Sequence, residues 1–128
     1  MPYLPRPQKK NVTNWGNGPV APFLASGAWK NCRAFYLMEH PLCEVCLFAG
    51  ILNSITGKRE AHVDHFIARD AGGAKLDFRN LVAMCESCHA SKSALERHGL
   101  EILSIGPDGE KWPADGEKER VFRKIKQL

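Results

Sequence analysis

Val63-Asp64-His65, read together with Asn80-Leu81-Val82-Ala83-Met84-Cys85-Glu86-Ser87-Cys88-His89, decides the fold. An acid beside a histidine is followed downstream by a second histidine, which directly follows a Cys-x-x-Cys pair. A further pair, Cys43 and Cys46, lies upstream. Two metal-site signatures of different chemistry are thus interleaved in one short segment. Four thiolates, supplied two by two from tight turns, suit one tetrahedral zinc whose closed shell leaves no room for substrate. The expected role of Cys43, Cys46, Cys85 and Cys88 is therefore structural. Isolated buried thiols are the plainer alternative. Redox chemistry is disfavoured, because neither pair has a thioredoxin-like strand-to-helix context.

Working outward, the chain of 128 residues is expected to form one domain, large enough for a core but not a generous one. Frequent glycine, proline and short polar runs point to many loops, and such a domain gains from a structural metal. Five cysteines, an odd number, fit zinc in a reducing compartment better than a disulfide framework. No apolar run is long enough to span a bilayer and no signal-like segment opens the sequence, so a cytoplasmic protein is expected.

The net charge of +4 is uneven. Arg6, Lys9 and Lys10 stand without an acid in residues 1–10, and residues 117–128 are again rich in Lys and Arg. Basic ends around a near-neutral centre fit a polyanion such as DNA; solvated termini fit equally well.

Residues 1–25, proline-rich at their start, read as an extended or disordered basic arm. Ser26 caps an expected helix over residues 27–40, stopped by Pro41, with Trp29, Cys32 and Tyr36 as its buried stripe. Cys32 there reads as a core thiol and not a ligand. Residues 41–46 read as a knuckle and 47–59 as irregular, with a short strand near 51–55. Strands are expected at 61–67 and 81–84, with a Gly72-Gly73 loop between them. A helix over 87–98 ends at Gly99. Residues 100–128 read as a hairpin turning at Gly106-Pro107-Asp108-Gly109, then a basic tail with a short helix from Val121. Trp15 and Trp112 are expected to pack.

The ordered set Trp29, Arg33, Phe35, Cys43/Cys46, Asp64-His65, Gly72-Gly73, Asp77, Asn80-Leu81, Cys85/Cys88-His89 and Lys92 resembles the HNH endonucleases. The likeness is to the four-cysteine, zinc-containing subgroup common in phage genomes and some restriction systems. It implies an α+β, zinc-stapled ββα-metal (His-Me finger) core over residues 26–99, with an N-terminal helix and flexible basic termini. It also implies a phosphodiester hydrolase acting on DNA, by nicking or double-strand cleavage. A place beside a phage DNA-packaging terminase is a further implication.

The resemblance gives the residues their roles. Asp64 and His89 would ligate one catalytic divalent ion, leaving positions open for phosphate and water. His65 would be the general base, with an ordinary pKa suited to neutral pH. Asn80 would fix the loop and orient that base without binding metal. Carboxylate and imidazole ligation admits Mg, Mn, Ni, Co or Zn. His62 and Lys92 are candidate substrate contacts, with a surface histidine and a solvated helix lysine as the plainer readings. Adjacent residues on an ideal strand face opposite sides, so Asp64 and His65 share a site only where the strand ends, twists or bulges. A restriction-type nuclease and a non-catalytic zinc-knuckle module binding DNA or protein are the alternatives.

Overall fold

Strands β1 (His62–His65) and β2 (Leu81–Met84) pair antiparallel, with His62 opposite Met84 and His65 opposite Leu81. The structure, a computed structural model, describes residues 20–57 and 61–127. All four residues of β2 are buried, as an unbroken Leu-Val-Ala-Met run requires of a strand covered on both faces. Helix α4 (Glu86–Arg97) leaves β2 after one residue and folds back across the pair, which gives a ββα unit. This is the α+β core expected from the sequence, with the four paired cysteines clustered at one place in it.

Other elements hold that unit. Helix α2 (Gly27–Glu39) starts where Ser26 accepts a hydrogen bond from the Trp29 amide at 3.1 Å, and it ends before Pro41. Its Trp29 and Tyr36 are buried, whereas Cys32, expected in the same stripe, is only half-buried. Helix α3 (Glu44–Phe48) is capped by the Cys43 thiol and packs on β2. The expected strand at 51–55 reduces to one bridge between Leu42 and Ser54. No helix among the described residues is long and apolar enough to cross a membrane.

Two expectations about the ends are corrected. Helix α1 (Val20–Leu24) occupies part of the segment read as an extended arm, because Phe23 has Trp29 to pack against at a ring separation of 5.7 Å. Residues 1–19, with the rest of that arm and Trp15, lie outside the described residues. Strands β3 (Ser104–Ile105) and β4 (Trp112–Pro113) do form the hairpin, but the segment after them is no flexible tail. Helix α5 (Glu117–Lys126) buries Val121 and Phe122 in the core, while its Arg123 and Lys124 are exposed. An apolar stripe four residues into a basic run was enough to dock it.

The loop between β1 and β2 is held tightly. It contains 3-10 turns at Arg69–Ala71 and Phe78–Asn80, the first closed by Gly72 at φ 91°. A side chain at Gly73 would collide with the Ile67 carbonyl and the Asn80 amide, so the close approach of these strands of chain requires glycine.

Candidate active site and metal centre

The four paired cysteines converge. Their sulfur atoms all lie within 4.8 Å of one another, and Cys46 Sγ stands 3.8 Å from Cys88 Sγ. Tetrahedral zinc with bonds of about 2.3 Å separates its sulfurs by about 3.8 Å, so the donor set fits that ion. Burial opposes ionisation of Cys85, but the Cys88 amide, the Ser87 hydroxyl and the neighbouring thiols outweigh it and draw Cys85 down to about 6. Burial and the adjacent thiols push Cys88 up. Four thiols this close cannot all ionise without a cation among them, and a structural metal such as zinc would supply it. Asn53 and, from α5, Lys126 approach Cys46 Sγ at 3.7 and 3.4 Å. Cys32 lies outside the cluster.

The cysteines set the start of α4, and with it His89, against β1. His89 Nε2 lies 3.6 Å from Asp64 Oδ1. Asp64 Oδ2 is buried and has Lys92 Nζ at 2.8 Å, yet no aligned hydrogen-bond donor. A carboxylate oxygen facing an imidazole nitrogen, with its second oxygen incompletely satisfied, is a donor set that suits a divalent cation. Burial alone would raise the Asp64 pKa, but the facing His89 and the charge of Lys92 hold it below its ordinary value. His89 moves the other way, raised chiefly by the Asp64 carboxylate that faces it.

His62, two residues before Asp64, faces α4 and lies flat on His89, with ring centres 4.2 Å apart and planes 6° apart. It does not join a three-ligand set with Asp64 and His89; among the described residues only the cysteines form such a convergent group. Lys92, expected as a phosphate contact or a solvated helix residue, is neither. It is buried, and its ammonium is enclosed by Asp64, Glu96 at 2.9 Å and the Phe66 carbonyl at 3.2 Å. Its spacing of four from Glu96 hinted at that pairing, but nothing in the sequence pointed to burial.

His65 ends β1 and borders the same open cleft as Asp64, about 540 Å³ in volume. Its ring packs on Trp29 at 4.6 Å, and its Nε2 lies 3.0 Å from the Lys75 carbonyl. A carbonyl can only accept, so Nε2 carries the proton and Nδ1 keeps a lone pair. Burial pushes the His65 pKa down, the Lys75 carbonyl works against this, and the nearby Arg69 charge adds to the lowering.

Asn80 is fully buried beneath the loop. Its Oδ1 accepts from the Ile67 amide at 2.7 Å, and its Nδ2 donates to the carbonyls of Ile67 and Ala74 at 3.1 and 2.8 Å. Ala74 precedes the residue whose carbonyl holds His65, so the amide braces the His65 ring one residue removed.

Residues 43–95 match the family model described as HNH endonuclease. Comparisons of the chain with curated proteins and with solved structures gave no match. The matched segment runs from Cys43 through β1 and β2 and most of α4, so over these residues the chain is similar to HNH endonucleases.

Proposed function

We propose that the protein is a metal-dependent DNA endonuclease. The observation that carries this reading is the facing of Asp64 and His89 across β1 and α4, with His65 on the cleft that Asp64 borders. Asp64 and His89 would hold the divalent ion, which supplies charge neutralisation at the phosphoryl group and at the leaving 3′ oxygen. The free Nδ1 of His65 takes the proton of the attacking water. Its lowered pKa keeps it unprotonated at neutral pH, as a base must be. Trp29 and the Lys75 carbonyl fix the ring, so little reorganisation accompanies the transfer. Asn80 serves by bracing the loop and Lys92 by keeping Asp64 anionic; neither reaches the phosphate.

Supercoiled plasmid incubated with Mg, Mn or Ni should pass to nicked and linear forms. His65→Ala should lose this activity by about two to four orders of magnitude, the usual worth of a general base. Wild type that binds DNA yet stays inert with every metal would leave a zinc-stapled DNA-binding module in its place.

A further inference from the structure

We propose that Arg69 and Lys75 form a phosphate clamp for the DNA strand that enters the cleft beside His65; this rests on the nuclease reading above. Arg69 opens the 3-10 turn after β1 and lines the cleft together with Asp64 and His65. Its guanidinium carbon sits 4.8 Å from the centre of the Phe23 ring, and Lys75 Nζ sits 5.7 Å from the same ring. Among the described residues, neither cation has a carboxylate within ion-pairing distance. Two of the cleft's acids, Asp64 and Glu96, are engaged by Lys92, and the third, Asp70, is exposed.

Stacking on an aromatic face holds a guanidinium in place while leaving its in-plane N–H donors free. Two like charges braced on one ring without a counter-anion are poorly arranged for the free protein and well arranged for a polyanion. The turn that carries Arg69 is anchored by Gly73 and Asn80, so the clamp stands on a rigid base. Lys75 also contributes the carbonyl that orients His65, so the ammonium proposed to grip phosphate and the contact that holds the base belong to one residue.

The test measures binding of the zinc-loaded full chain to a short labelled duplex, without added divalent ion, over a series of salt concentrations. Each phosphate contact contributes about 0.9 to the slope of log affinity against log salt. Arg69→Ala and Lys75→Ala should each lower the slope by about that amount and weaken binding roughly tenfold. Arg69→Lys should keep the slope. In plasmid cleavage, both alanine variants should raise KM more than they lower kcat. Unchanged slopes with unchanged KM in both alanine variants would overturn the clamp, as would a loss confined to kcat. Wild type showing the clamp-dependent slope but no cleavage would support the clamp and sink the nuclease reading alone.

Discussion

Lys92 Nζ lies 2.8 Å from Asp64 Oδ2, and the lysine side chain is only 1% exposed. A cation is thus built into the protein beside the carboxylate proposed to bind another cation. Burial works against ionisation of Asp64, but His89 and then this pairing with Lys92 hold its pKa below the ordinary value. Removing one partner of a buried pair leaves the other charged and unpaired, which costs about 3–5 kcal/mol. Lys92→Met should therefore destabilise the fold by about 3 kcal/mol in urea unfolding, since Glu96 at its other side is partly exposed and can resolvate. Adding Asp64→Asn to Lys92→Met should restore part of the loss. Strictly additive effects would show that the two residues are not coupled.

The cysteine cluster predicts one zinc per chain by native mass spectrometry. Cys43→Ser should lose that ion and the cooperative thermal transition with it, because a structural zinc contributes folding free energy directly. Asp64→Ala should keep its zinc while losing cleavage, at some cost in stability because the buried Lys92 loses a counter-charge. Zinc retained at full occupancy by Cys43→Ser would refute the four-thiolate site.

Asn80→Ala strips three hydrogen bonds from a buried loop and leaves the Ile67 amide and two carbonyls without partners. An unpaired buried group costs about 1–3 kcal/mol, so a total loss of about 3 kcal/mol is expected after some relaxation. The residue-specific readout is hydrogen exchange. The Ile67 amide should lose protection by at least tenfold while the β1–β2 ladder keeps its own. Equal protection at Ile67 in variant and wild type would show that Asn80 does not hold the loop.

How much of this was legible from the chain depends on the range of the cause. Ser26, Pro41 and Gly99 mark helix ends through their own backbone preferences, and those boundaries fell where the sequence put them, within a residue. The cysteine spacings carried the zinc cluster for the same reason, since tetrahedral ligation constrains spacing directly. Lys92 was misplaced because its burial depends on Asp64, distant in sequence and adjacent only after β1 and α4 pack. The Phe23 platform under Arg69 and Lys75 has the same origin: α1 meets the β1–β2 loop only in the folded chain, with no periodicity to announce the contact. Helix α5 was legible in part. Its basic residues suggested a tail, although Val121, Phe122 and Ile125 already held helical spacing.

If α5 were a dispensable basic tail, Phe122→Ala would be silent. Phe122 is instead 5% exposed and meets Phe48 edge-on at 5.8 Å and Phe66 at 6.3 Å, joining α3 to the end of β1. Truncating a buried phenylalanine costs about 3–5 kcal/mol, against about 0.5 kcal/mol or less for a surface change. Phe122→Ala should thus lower the urea midpoint severely, while Lys124→Ala, on the exposed side of the same helix, should leave it nearly unchanged. The loss should reach the zinc site as well, because α5 also delivers Lys126 to Cys46 Sγ. Faster zinc release to a chelator in Phe122→Ala than in Lys124→Ala would mark α5 as part of the staple. Equal release rates, with equal stability, would return it to the status of a tail.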